Sequence, residues 1–334
     1  MGIMGLNVCV GIDAGTNSSK VAYFDVNENS TKIIAELENF NLLALREEAE
    51  IYFDEPIFSC VISVSDNFSR RQKDDVIFSA KKSGFKNVNL ITSHEAVKMF
   101  MSNNNTDINE SILTYDFGAS KSDITLFNYD EIIEDEIIDD VCGNEFDKIF
   151  SEWLVERFTL NLIDKKILLN QAENIKITLS NSDYVTWRDV KILREDFERL
   201  IHFNVKRSLH TVEKFKRIYK PSRFILTGGC SNIPEVKKIF RGFEVIDNII
   251  VKGAAIKAAS ISNDTSRNKS EKLNTALKIR ELRGKLMELE EFLTRKQKDR
   301  LYILFRQAEG VSAAEPEIIN FIENLINDIL KSQD

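Results

Sequence analysis

The chain lacks any apolar run approaching the ~18 residues that cross a bilayer as a helix, and its opening residues MGIMGLNV hold neither a basic leader nor a full apolar segment. The expectation is a cytoplasmic protein with no membrane partner. Met1-Gly2 begins like an acylation signal, but Leu6 stands where Ser or Thr is required. Positive charge is in deficit: 45 Lys and Arg face 53 Asp and Glu, for a net charge of -8. That balance argues against broad nucleic-acid binding, because a phosphate backbone rewards a basic surface. The basic clusters Arg70 to Lys73 and Lys214 to Lys220 read as solvated helix faces. The four cysteines, Cys9, Cys60, Cys142 and Cys230, lack the close spacing of a metal site and mostly interrupt apolar runs, as core thiols do in a reducing compartment. His94 has no second histidine near it in sequence and reads as a packing or capping residue.

What is present suffices for one large or two medium globular domains: 334 residues, 43% hydrophobic and 29% charged. The organising stretch is Ile112 to Phe127, an apolar run into Asp116, a Gly-Ala-Ser turn, and a second strand pattern opened by Asp123. A carboxylate at a strand end beside exposed turn amides suits Mg²⁺ and phosphate oxygens. A similar unit stands at the N-terminus, where Asp13, Gly15, Thr16 and Asn17 lie between Val10 and a strand from Val21 to Asp25. Two such units imply two halves closing on one ligand.

Between and after these units the pattern alternates strand and helix. Lys32 to Leu37, Ile57 to Val64 and Val88 to Ile91 read as strands; Ser69 to Gln72 opens a helix with a capping box, and Ser93 to Phe100 forms a short helix. The polar run Ser102 to Glu110 is a candidate lobe boundary, and Glu131 to Asp140 an exposed acidic strand. Helices follow from Gly143 and over Asn170 to Leu179, whose face carries Glu173, Lys176 and Ser180. A brief β excursion, Tyr184 to Ile192, precedes a helix from Arg194 to about Ile218. The strand Phe224 to Thr227 runs into the Gly228-Gly229 turn, with Pro234 placed for the next helix. A strand from Phe243 to Ile246, ending at Asp247, leads to a small-residue helix ending near Ser260. The polar joint Ser262 to Ser270 is then expected to separate that helix from a long one over about Lys272 to Gln307, with a seam of Ile279, Leu282, Leu286, Leu289 and Leu293. A final helix from Pro316 offers Ile319, Ile322, Ile326 and Ile329, so a helical hairpin or small bundle and a coiled-coil homodimer both remain open.

Six segments in preserved order carry a resemblance. They are GIDAGTNSS from Gly11, YDFGASKSDITLF from Tyr115, the block Val61 to Phe100, AENIKITLS from Ala172, LTGGCSNIPEV from Leu226 and VKGAAIKAA from Val251. Together they resemble the nucleotide-binding domain of Hsp70 chaperones, within the actin, Hsp70 and sugar-kinase superfamily. The resemblance implies an α/β fold of two ribonuclease-H-like lobes around a nucleotide cleft: lobe I from residues 1–101 plus 245–260, lobe II from 102–244, and a helical interaction region over 261–334. It implies ATP or ADP with Mg²⁺ as cofactors. Asp13 and Asp116 would hold the metal, mostly through water; Gly15, Thr16, Asn17, Gly118 and Ala119 would cradle phosphate. Glu95 would lie near metal-bound water, and Asp123 would polarise water near the terminal phosphate. Glu173, Lys176, Ser180, Gly228 and Gly229 would meet adenosine, with Asp247 at the hinge end.

The departures bear on function. Hsp70 continues its second loop as Gly-Gly-Thr, whereas this chain has Ala119-Ser120-Lys121, so Lys121 is the candidate to neutralise phosphate charge. The peripheral part of lobe I that carries the family's catalytic lysine looks deleted, and no residue matches it. Ile177 and Asn232 stand where arginines often contact adenosine, which removes cation-π attraction. No peptide-binding β-sandwich pattern follows. The reading is an ATP-controlled switch with slow Mg-dependent hydrolysis that couples cleft closure to a protein partner or client through the C-terminal helices. The alternative is a non-hydrolysing nucleotide-binding adaptor; small-molecule kinase activity is a weaker third.

Overall fold

The computed structural model describes residues 8–15, 17–38, 40–104, 111–128, 131–158, 162–187, 190–288, 293, 298, 301–305 and 316–331. Its backbone contacts divide the chain into two compact units, Met1–Ser260 and Ile261–Asp334.

The first unit is built on two five-stranded sheets of one topology. In the first, β1 (Cys9–Ala14) turns back antiparallel into β2 (Ser18–Asp25), which pairs β3 (Ser30–Glu38); on its other side β1 pairs β4 (Ser59–Val64) in parallel, and β4 pairs β5 (Asn87–Thr92). The second sheet repeats the order: β6 (Ser111–Phe117) with β7 (Ser122–Asn128) and β8 (Glu131–Ile138) on the antiparallel side, β11 (Arg223–Thr227) and β12 (Glu244–Val245) on the parallel side. A separate hairpin pairs β9 (Tyr184–Trp187) with β10 (Val190–Leu193). The mixed α/β architecture of two lobes expected from the sequence is therefore present.

Strand composition explains the burial. β1 and β4 supply Val10, Ile12, Cys60, Val61 and Ile62, all buried, as a central strand covered on both faces requires. β8 alternates acidic residues with half-exposed isoleucines, as an edge strand does. The helices are α1 (Leu42–Phe53), α2 (Arg70–Lys82), α3 (Ser93–Asn103), α4 (Gly143–Phe158), α5 (Leu162–Asn181), α6 (Arg194–Tyr219), α7 (Pro234–Ile239) and α8 (Ile249–Glu288). The expected capping box opens α2: Ser69 Oγ accepts from the Gln72 amide, and the Gln72 side chain accepts from the Ser69 amide. α5 starts earlier than the apolar pattern suggests, and residues 105–110 of the expected lobe boundary lie outside the described residues.

One expectation is overturned. The polar joint Ser262 to Ser270 is helical throughout and lies within the forty residues of α8. No glycine or proline occurs between Ala254 and Arg283, so nothing in the backbone chemistry stops the helix there. In the second unit, Ile279, Leu282 and Leu293 pack with Leu301, Phe305, Ile319, Ile322 and Ile326, the last three from α9 (Pro316–Lys331). Lys278 Nζ donates to Glu323 at 2.7 Å across the same pair of helices. Ile279, Leu282 and Leu293 of the seam thus pack with residues of α9; Leu286, Leu289 and Ile329 have side chains outside the described set. Among the described residues no helix is long and apolar enough to cross a membrane.

The small residues of α8 serve close packing. A Cβ on Gly253 would lie 1.9 Å from the carbonyl oxygen of Ala96 in α3, a backbone atom that cannot step aside. Gly284 faces open space. Gly253→Ala should therefore cost about 3 kcal/mol in urea unfolding, whereas Gly284→Ala should gain about 0.5–1 kcal/mol from helix propensity.

Candidate functional site

Equivalent strands bring equivalent carboxylates together. Asp13 is the penultimate residue of β1 and Asp116 that of β6, and each stands where a parallel neighbour and an antiparallel hairpin partner flank it. Asp13 pairs in register with Ser63 and Lys20; Asp116 pairs with Thr227 and Asp123. The surroundings differ accordingly. Ser63 Oγ donates to Asp13 Oδ1 at 2.6 Å, and Lys20 lies near enough to oppose the upward push that burial gives this carboxyl. Asp116 has Asp123 instead of a lysine beside it, and burial together with the charges of Asp13 and Asp123 pushes it up to about 7.

The two hairpin turns are as tight as the expected phosphate cradle requires. A Cβ on Gly15 would meet the Ser18 carbonyl oxygen at 2.3 Å, and one on Gly118 the Lys121 carbonyl oxygen at 2.6 Å. The second turn is anchored from behind, since the Gly143 and Asn144 amides donate to the carbonyls of Gly118 (3.0 Å) and Ala119 (2.8 Å) at the start of α4. Lys121 Nζ leaves this turn to donate to Asp123 Oδ1 at 2.9 Å and to Ser65 Oγ, in the other lobe, at 3.1 Å. Burial raises the Asp123 pKa while Lys121 holds it down.

Asn17 crosses the cleft from the first turn. Its Nδ2 donates to Asn144 Oδ1 at 3.0 Å and lies 3.4 Å from both carboxylate oxygens of Glu173. Thr16 lies outside the described residues. Gly228, at φ +88°, approaches Asp116 so closely that a Cβ would lie 2.4 Å from its Oδ1; Gly229 faces open space. Asn232 Nδ2 donates to Asp247 Oδ1 at 2.8 Å, tying the glycine turn to the expected hinge.

Other predicted residues are engaged elsewhere. Glu95 Oε2 accepts from the Thr92 amide (2.8 Å) and hydroxyl (2.9 Å), so this carboxylate closes the capping box of α3 and is exposed. Lys176 is buried and donates to Asp147 Oδ2 at 2.7 Å and to the Gly143 carbonyl at 3.3 Å. Burial disfavours its charge, but Cys230, Asp147 and Glu173 outweigh burial, and the ammonium persists. Ser180 Oγ donates back to the Lys176 carbonyl at 3.0 Å within α5. Ile177 is half exposed on the same helix. His94 bonds Asp66 and the Thr92 hydroxyl, in keeping with a packing role. The residues that sequence reasoning missed are Ser63 and Ser65; alternate serines at the end of the apolar strand VISVS were the available signal.

The donor set fits a nucleotide with a hard divalent cation. The Asp116 carboxylate feels the negative charges of both Asp13 and Asp123, a repulsion that a cation would relieve. Among the described residues no three acidic, histidine or cysteine side chains converge to ligate one ion directly. Mg²⁺ keeps several of its waters and needs only one or two carboxylates from a protein. Asp147 Oδ1 and Ser231 Oγ, near Lys176 and the glycine turn, are buried polar atoms without a partner among the described residues.

The chain matches the family described as Hsp70 protein over residues 33–291. It is 26% identical over 263 residues to a chaperone protein HscA homolog of Rickettsia africae (strain ESF-5), 27% to that of Rickettsia akari (strain Hartford) and 24% to that of Rickettsia bellii (strain RML369-C). Each alignment covers 72% of this chain and 44% of the relative, so the chain spans less than half the length of these curated relatives.

The clustered carboxylates set a pH dependence. Asp116 titrates near 7 in the folded chain against an ordinary 3.8, so between these values the folded state binds the proton that the unfolded state has lost. Stability of the nucleotide-free, Mg-free protein therefore falls as pH rises through that window. Asp116→Asn should raise the melting temperature at pH 8 by about 4–8 °C, equivalent to about 2 kcal/mol, with the gain vanishing near pH 4. A thermal melt series across pH checks this.

Proposed function

Because the chain belongs to the Hsp70 family, as a divergent nucleotide-binding domain with appended helices, we propose that it binds ATP or ADP with Mg²⁺ between its lobes and hydrolyses ATP slowly. The observation that carries this reading is that Asp116, near the end of β6, feels the charges of Asp13 from the equivalent strand β1 and of Asp123 from its own hairpin partner β7. Asp13 and Asp116 would hold the hydrated metal, which when bound supplies charge neutralisation for the phosphate oxygens. The turns at Gly15 to Asn17 and Gly118 to Ala119 would offer backbone amides to phosphate. Asp123 would orient and polarise the attacking water, and Lys121 would meet the terminal phosphate. Glu95 would act, if at all, only after leaving its cap. Glu173, Lys176, Ser180, Gly228 and Gly229 would line the nucleoside end. Lys176 does so through its buried pair with Asp147, and Glu173 after releasing Asn17.

Nucleotide binding would change the cross-cleft contacts of Asn17 and Lys121, and the second unit would transmit that change to a protein partner or client. The curated relatives are named as chaperones, which supports a protein partner.

A second reading, a nucleotide-binding adaptor that does not hydrolyse, is favoured by one contact. Burial pushes the Asp123 carboxyl up, but its bond to Lys121 opposes that push and occupies one of its oxygens. Single-turnover phosphate release at matched nucleotide occupancy separates the two. The ATPase expects a fall of about 100-fold or more in Asp13→Ala and Asp123→Ala, and a smaller change in Lys121→Ala. Release in the wild type no faster than in the aspartate variants, despite bound Mg-ATP, would leave the adaptor. Absence of calorimetric binding to either nucleotide would overturn both.

A further inference from the structure

Two hydroxyls at the end of β4 hold groups that belong to opposite lobes. Ser63 donates to Asp13, on the neighbouring strand of its own sheet, at 2.6 Å. Ser65, two residues on, accepts from Lys121 of the second phosphate turn at 3.1 Å. Asn67, two residues further, donates to Asp135 of β8 at 3.1 Å. The segment leaving β4 is thus tied to the other lobe at both 65 and 67.

Lys121 is partly exposed, and its ammonium has two partners of different character. Asp123 is a carboxylate on the same hairpin, and a lysine bound to it alone forms a local ion pair whose charge is spent. Ser65 is a neutral acceptor on the facing lobe. It draws the ammonium across the cleft without neutralising it.

We infer that Ser65 is a positioning residue that holds Lys121 over the cleft, so that recognition of a nucleoside triphosphate over the diphosphate depends on the two lobes standing together. The inference rests on the nucleotide-binding reading above. It assigns to lobe I a part in a contact whose charge comes entirely from lobe II. Opening the lobes withdraws Ser65, the ammonium is left with Asp123 as its only partner of the two, and preference for the additional phosphate is lost.

The test uses the full chain as wild type, Ser65→Ala and Ser65→Thr. Acylation of Lys121 by an amine-reactive ester, followed by mass spectrometry without nucleotide, reports the contact itself. Calorimetry with Mg-ADP and with the Mg-bound imido analogue of ATP reports the preference. Ser65→Ala should label Lys121 several-fold faster, and should lose about tenfold more affinity for the triphosphate analogue than for ADP. Ser65→Thr, which keeps the hydroxyl, should restore both. Equal labelling in wild type and Ser65→Ala overturns the inference. So does faster labelling with an unchanged triphosphate-to-diphosphate ratio, which makes Ser65 a tether between lobes and nothing more. If the wild type binds neither nucleotide while the labelling difference persists, the nucleotide reading itself has failed and the inference falls with it.

Discussion

Asp116 stands in a half-buried cleft with a like charge on either side, Asp13 from the other lobe and Asp123 from its own hairpin, and the first unit is arranged around that unfavourable juxtaposition. Burial raises the pKa of Asp13, Asp116 and Asp123, and at Asp116 the neighbouring charges add to the effect. They are kept in place because each sits near the end of a strand that also carries buried apolar side chains, so the hydrophobic core of each lobe supports the cost. An arrangement that is unfavourable alone and relieved by a cation is how a fold stores affinity for that cation.

The repeated topology explains why the two halves are equivalent in backbone and unequal in chemistry. Both sheets place an aspartate between a hairpin partner and a parallel partner. In the first lobe those partners are Lys20 and Ser63, a cation and a donor, and Asp13 is stabilised by both. In the second they are Asp123 and Thr227, and Asp116 gains a repelling charge. Asp116 is therefore the carboxylate with most to gain from metal. The asymmetry follows from one position in each hairpin, lysine in β2 and aspartate in β7.

Much of this was legible along the chain because its determinants are local. The hairpins, the capping box at Ser69, the acidic edge strand and the turn at Gly228 all follow from short patterns of apolar alternation, glycine and capping side chains. What escaped is what depends on pairing between distant strands. Ser63 reaches Asp13 through a parallel register fifty residues apart, and Ser65 reaches Lys121 across fifty-six. No spacing rule within one segment reveals either. Glu95 shows the converse limit: one glutamate three residues after a threonine satisfies both a cap and a motif, and in this structure the cap holds it. The polar stretch at 262–270 looked like a joint because its residues are weak helix formers, but weak propensity without glycine or proline does not end a helix already nucleated upstream.

Lys121 decides how far the fold carries the chemistry with it. A hydroxyl at that position would leave Asp123 free to take a proton from water and would itself bond to phosphate. An ammonium instead adds a positive charge beside the phosphate turn and draws on the carboxylate that a water-polarising role needs. On the proposed reading the same substitution would strengthen anion binding and weaken general base catalysis, since a carboxylate paired with a cation is a poorer proton acceptor than the same carboxylate unpaired. Ser65 alters that balance by offering the ammonium a second partner across the cleft. Lys121 holds both partners at once, so only a further anion that draws the ammonium off Asp123 would free that carboxylate. On the proposed reading, a site built this way would couple hydrolysis to lobe closure through a single side chain.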